Sequence, residues 1–143
     1  MTIQNKVPIY REILADMETP LSVYQKLANA PFSYLFESVE GGEVRGRFSV
    51  IGLDPDLIWR CREGKAEINR TPHSEDKFEA DSLPPLQSLR ALMRQSEMPD
   101  TGDLPPMAAG LFGYFSYDMI REIEDIPDTN KTIVETDDAL LLR

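Results

Sequence analysis

The residues of this 143-residue chain best suited to chemistry are Glu37 and Ser38, a carboxylate and a hydroxyl inside the otherwise apolar run Phe32-Ser33-Tyr34-Leu35-Phe36-Glu37-Ser38-Val39. An ionised carboxylate among apolar neighbours is costly unless a cation or several hydrogen-bond donors meet it. A ligand's ammonium group could supply that charge, and so could Arg45 or Arg47 from the same stretch. Cross-strand ion pairs are commonplace, so on spacing alone the structural pairing is the commoner explanation and ligand binding the rarer one. Side chains alternate along a strand, which sends Glu37 and Ser38 to opposite faces unless a bulge intervenes and turns one of them inward.

The remaining reactive side chains stand apart from one another. His73 is the one histidine and lies in the polar run Arg70–Asp81, as a solvated loop residue without a partner for acid–base work. Cys61 is the one cysteine, so it forms no internal disulfide and no metal site by itself; it reads as a small buried strand residue. The acidic run Glu122-Ile123-Glu124-Asp125 reads as a solvated face, because side chains so close in sequence diverge. No nucleophile with its base, phosphate loop or metal-ligand set emerges, so neither a catalytic residue nor a metal ligand is assigned in this chain.

Composition narrows the partners. With 25 acidic against 15 basic residues the net charge is -10, which opposes nucleic acid. No apolar run approaches the roughly 20 residues of a membrane span, and Met1-Thr2-Ile3-Gln4-Asn5-Lys6 lacks a signal core. A soluble, cytoplasmic protein is expected, and 41% apolar content over this length suits a single domain, 1–143.

The elements that must position Glu37 and Ser38 follow from local pattern. Phe32–Val39 and Arg47–Leu53 flank Gly41-Gly42 and Gly46, which predicts a long-looped β-hairpin. Ahead of it, Thr19-Pro20 starts a helix to about Ala28 with Val23, Tyr24, Leu27 and Ala28 on one face, and Glu12–Ala15 suggests a helical turn. Leu57–Arg62 and Lys65–Asn69 around Glu63-Gly64 predict a second hairpin, with Trp59 in its core. Ser82 is expected to cap a helix of about fifteen residues with Leu86, Leu89 and Met93 as its apolar stripe. Met107–Tyr117 mixes glycines with aromatics, so a backbone, ring or ligand is expected to lie closely against it, and Tyr117–Arg121 reads as a short helix. Asp137–Arg143 reads as the start of a buried strand, from which we expect a chain cut from a longer polypeptide. The class predicted is α+β: a largely antiparallel sheet of hairpins with two or three packed helices, an incomplete half of a larger two-layer sandwich.

Leu35-Phe36-Glu37-Ser38-Val39-Glu40-Gly41-Gly42 and Gly46-Arg47-Phe48-Ser49-Val50-Ile51-Gly52 resemble the N-terminal region of anthranilate synthase component I. Thr19-Pro20-Leu21-Ser22-Val23-Tyr24 and Gly110-Leu111-Phe112-Gly113-Tyr114-Phe115-Ser116-Tyr117-Asp118 fit the same family in the same order, although Ala109 and Ser116 stand where glycines are common there. The resemblance implies a tryptophan-sensing region, with Ser38 and Glu37 on the amino acid part of the effector, Leu35 against the indole and Pro20 near the pocket. It further implies a later, separate domain that holds chorismate and one Mg2+ ion, none of it in this chain. A glutamine amidotransferase subunit would deliver ammonia within a hetero-oligomer that makes anthranilate and pyruvate. Two other readings stay open: aminodeoxychorismate synthase component I, whose N-terminal region is related, and a non-catalytic amino acid binding module.

Overall fold

A computed structural model describes residues 7–37, 48–98, 102–127 and 135–143. The chain forms two compact units, one of Pro8–Pro55 and one built on Asp56–Arg143.

In the Pro8–Pro55 unit, helix α1 spans Pro20–Leu27 and starts where the sequence predicts. Thr19 and Ser22 form a reciprocal cap: the Ser22 N–H donates to Thr19 Oγ1 at 3.1 Å and the Thr19 N–H to Ser22 Oγ at 2.9 Å. Proline at the first position costs no hydrogen bond, since its missing N–H would have been unpaired anyway. Glu18 pairs with Lys26, which holds its carboxyl below the usual range. The turn expected over Glu12–Ala15 is not formed; one turn falls instead at Asp16-Met17, closed by the Glu18 N–H on the Ala15 carbonyl at 2.9 Å. Four residues without a packed face cannot offset the cost of helix nucleation.

Strand β1 (Tyr34–Glu37) pairs antiparallel with β2 (Ser49–Gly52), confirming the first hairpin's two arms. Its connection, including Ser38, Arg45 and Arg47, lies outside the described residues. Gly52 lies directly across from Tyr34, and a Cβ there would run into the tyrosine ring. That close approach explains the glycine. The Tyr34 ring sits 5.1 Å from that of Phe36, and burial pushes its hydroxyl up to about 12.

The Asp56–Arg143 unit is a five-stranded antiparallel sheet. Its strands are β3 (Ile58–Arg62), β4 (Lys65–Asn69), β5 (Glu79–Ala80), β6 (Phe112–Phe115) and β7 (Ala139–Leu142), in the order β5-β4-β3-β7-β6. Glu63 and Gly64 both take positive φ, 51° and 68°, the tight turn that the right-handed twist of a hairpin favours. Arg60 and Glu67 are cross-strand partners joined at 2.6 Å, and the Arg60 guanidinium lies 3.7 Å over the Phe78 ring. The apolar run at the end of the sequence becomes β7 between β3 and β6, with Ala139, Leu141 and Leu142 buried. Gly113 lies across from Leu141, and a Cβ on it would overlap the Leu140 carbonyl, so the close approach expected for this segment is to backbone. The strand itself is shorter than Met107–Tyr117, with 3₁₀ turns at Pro106–Ala108 and Tyr117–Glu122 on either side of it.

Helix α2 spans Pro85–Ser96 and corrects two expectations. Its N-cap is Pro84, not Ser82; the Pro84 carbonyl takes the N–H groups of Gln87 and Ser88, while Asp81 takes the N–H of Leu83 at 3.1 Å. The buried face is Pro85, Ser88, Leu89, Leu92 and Ser96, with Leu86 half-buried and Met93 turned to solvent. The stripe was misphased because two serines belong to it. Ser88 is buried because Trp59, fully enclosed, donates its indole N–H to Ser88 Oγ at 2.9 Å, and Ser88 in turn donates to Asp81 at 2.6 Å. Burying an indole is favourable only when its N–H is met, and this relay meets it. Donation from Ser88 also holds the Asp81 carboxyl below its ordinary range. Cys61 is buried in the same core, as expected, and burial followed by Glu122 pushes its thiol up to about 12.

Candidate functional site

The register of β1 on β2 decides which side chains can act together. Leu35 faces Ile51 and Glu37 faces Ser49, while Tyr34 faces Gly52 and Phe36 faces Val50. Directly opposed residues share a face, and alternate residues of a strand share a face. One face of the ribbon therefore carries Leu35, Ile51, Glu37 and Ser49; the other carries the aromatic pair.

That first face has an aliphatic end and a polar end. Leu35 and Ile51 are half-buried, whereas Glu37 and Ser49 are exposed at the other end. A carboxylate beside a hydroxyl can accept from an ammonium group, and the hydroxyl can also donate to a carboxylate. Two aliphatic side chains two residues along the same face offer an apolar surface. Such a face suits a small zwitterion with a greasy side chain, not acid–base catalysis, since Ser49, not a titratable group, is the direct cross-strand partner of Glu37 among the described residues.

Three of the four sequence-predicted residues, Pro20, Leu35 and Glu37, are described, and they belong to the Pro8–Pro55 unit. Leu35 and Glu37 share the face just described; Pro20 is the first residue of α1; Ser38 lies outside the described residues. The direct cross-strand place opposite Glu37 is taken by Ser49. Sequence reasoning missed Ser49 and Ile51 as partners of this face, although pairing the two arms of the hairpin in register would have found them.

The helix that borders the ribbon is tied down locally. The Tyr24 hydroxyl lies 3.4 Å from the Ser33 carbonyl, to which it donates, and 3.3 Å from Ser33 Oγ. This fixes α1 to the residue that precedes β1.

Two hollows belong to the other unit. One, of about 440 Å³, is apolar and lies against Leu89, Met93, Leu111, Phe115 and Leu141. The second, of about 650 Å³, is polar, and Arg62, Asp118, Arg121 and Glu122 line it. Its arginines are paired, Arg62 with Asp137 at 2.7 Å and Arg121 with Asp118 at 3.0 Å. Among the described residues no grouping of three or more His, Cys, Asp or Glu could hold a metal ion, and no helix is long and apolar enough to cross a membrane. His73 is exposed in a turn between β4 and β5.

Comparison with known proteins decides the kinship. Anthranilate synthase component 1 of Cereibacter sphaeroides is 45% identical over 142 residues, which is 98% of this chain and 28% of that protein. Over nearly its whole length the chain is similar to a part of that protein. The protein of the same name from Pseudomonas aeruginosa is 41% identical over 120 residues, 84% of this chain and 24% of its own length. The chain thus spans about a quarter of the anthranilate synthase components it matches. A crystal structure of anthranilate synthase component I from Streptococcus pneumoniae superposes over 94% of this chain and 27% of its own, with a TM-score of 0.55 at 21% identity. It shares the α+β fold expected from the sequence. No family model matches the chain.

Proposed function

We propose that this chain is the tryptophan-sensing part of an anthranilate synthase component I, 1–143 forming its N-terminal domain. The whole enzyme would convert chorismate and glutamine, or ammonia, to anthranilate and pyruvate in the cytoplasm, at the first step of tryptophan synthesis. Chorismate and Mg2+ belong to the remainder of that polypeptide, and a glutamine amidotransferase subunit supplies ammonia. The observation that carries the reading is the β1–β2 face, where Glu37 and Ser49 adjoin Leu35 and Ile51. An amino acid's ammonium and carboxylate suit the polar end, and an indole suits the aliphatic end. Similarity to an anthranilate synthase component over 98% of the chain supports the pathway.

Feedback needs tryptophan to favour one state of the enzyme over another, and a few kcal/mol of differential affinity suffices. The test is inhibition of the full-length polypeptide, assayed with its amidotransferase partner. Ser38→Phe is expected to abolish inhibition by L-tryptophan with modest effect on turnover, and Glu37→Gln to weaken inhibition at least tenfold, equivalent to about 1.4 kcal/mol. Equal tryptophan sensitivity in both variants and the parent overturns the reading.

A further inference from the structure

The two polar groups of the β1–β2 face differ chemically, and both are unspent. Glu37 and Ser49 stand directly across from one another and are exposed, and among the described residues neither side chain has a hydrogen-bond or ion-pair partner. Both lie within the Pro8–Pro55 unit. A carboxylate only accepts, whereas a hydroxyl can also donate. An amino acid laid over this pair has its ammonium group drawn to Glu37 and its own carboxylate driven away from it by like charge. Of the four side chains on this face, Ser49 alone can donate to that displaced carboxylate.

Directly opposed side chains on antiparallel strands leave the backbone with their Cβ atoms about 4.5–5.5 Å apart. One α-carbon carrying both charged groups can bridge such a gap. Leu35 and Ile51 lie two residues along the ribbon, about 6–7 Å away at the rise of a strand. Glu37, Ser49 and the Leu35–Ile51 pair therefore mark the corners of a triangle, not points on a line. Three different attachment points so arranged fit one hand of an α-amino acid, because inverting the α-carbon leaves one of its three groups without a partner.

We infer that Ser49 is the specificity-determining residue of this face: its hydroxyl donates to the effector's carboxylate across from the ammonium group at Glu37, which selects an amino acid with a free carboxylate and the L configuration that protein synthesis uses. The inference rests on the tryptophan-sensing reading and divides the polar end of the face between two residues. Donation to a charged acceptor is stronger than between neutral groups, so losing the hydroxyl weakens the carboxylate end alone.

The experiment is calorimetric titration of the full-length polypeptide with L-tryptophan, D-tryptophan and L-tryptophanamide, in which a neutral amide replaces the carboxylate. The proteins are the parent, Ser49→Ala, Ser49→Thr and Glu37→Gln. The parent is expected to bind L-tryptophan at least about tenfold more tightly than either analogue. In Ser49→Ala both ratios are expected to fall below about threefold through weaker binding of L-tryptophan, whereas Ser49→Thr, which keeps the hydroxyl, should hold them within about twofold of the parent. Glu37→Gln acts on the ammonium group and is expected to weaken L-tryptophan and its amide by the same factor. Parent ratios near unity, ratios unaltered in Ser49→Ala, or equal losses in Ser49→Ala and Ser49→Thr overturn the assignment of Ser49 and leave the sensing reading standing. No binding of L-tryptophan to the parent overturns the sensing reading and this inference with it. Ser49 is exposed, so neither substitution at it empties a core.

Discussion

The two units bury their residues in opposite ways. The Asp56–Arg143 unit encloses Leu57, Ile58, Trp59, Cys61, Leu92 and Ala139 almost completely and satisfies its deepest polar atom through Ser88. Among the described residues of Pro8–Pro55, α1 has no buried residue, and Phe36 and Phe48 are exposed by 43% and 40%. Their carboxylates differ as well. Glu67 meets Arg60 straight across the hairpin, whereas Glu37, in the same kind of position, faces the hydroxyl of Ser49. One unit encloses its largest side chains; the other leaves more of its described side chains exposed. Binding surfaces are drawn from regions with few enclosed contacts, because a closed core has nothing left to offer a ligand.

That contrast can be broken most directly at Trp59. Trp59→Ala removes the largest enclosed side chain of the sheet and is expected to cost about 3–5 kcal/mol, read from urea unfolding by far-ultraviolet circular dichroism. A loss near zero would mean that the sheet is not the frame. Ser88→Ala should cost about 1–3 kcal/mol, since it leaves the buried indole N–H without an acceptor. It should also change the response to acid. Asp81 has its folded value depressed, so its contribution is fully present above the ordinary carboxylate value near 4 and fades as pH falls toward the folded value. Stability of Ser88→Ala measured from pH 6 down to pH 2 should therefore fall less steeply than that of the parent; identical acid limbs would remove the relay from the energetics.

The smallest effect is expected in the ribbon. Gly52→Ala places a methyl against the Tyr34 ring, which can swing aside, so about 1 kcal/mol is expected. Faster amide exchange should appear at Tyr34–Glu37 and Ser49–Gly52, with the urea midpoint of the sheet unchanged. A shift of that midpoint as large as for Ser88→Ala would erase the distinction between the units.

Much of the frame is legible in the residues because its signals are local. Glu63-Gly64 sets a turn, and strands of matching length on both sides leave one register; the apolar run Ala139–Leu142 can only be buried. Relations between distant residues were not legible. Ser88 looks like a surface serine until Trp59, twenty-nine residues earlier, is placed beneath it. With Ser88 counted as polar, spacing alone places Met93 on the buried face of α2, where the structure has Leu92. Glu79–Ala80, within a polar connection, gave no periodicity, since two residues are too few for alternation to register. At the candidate site, Glu37 stood out chemically, but Ser49 and Ile51 became its companions only through the pairing of two strands.

The placement of β7 bears on how the molecule comes into being. Of the five strands described in this sheet, residues 139–142 come latest in sequence, yet they lie between β3 and β6 and hydrogen-bond to both. A chain growing from its amino terminus therefore displays Trp59 and its apolar neighbours on an unfinished sheet until the missing middle arrives. Non-local pairing of this sort is slow to form and leaves strand edges open in the meantime. Synthesis of residues 139–142 is thus the step that closes the gap between β3 and β6.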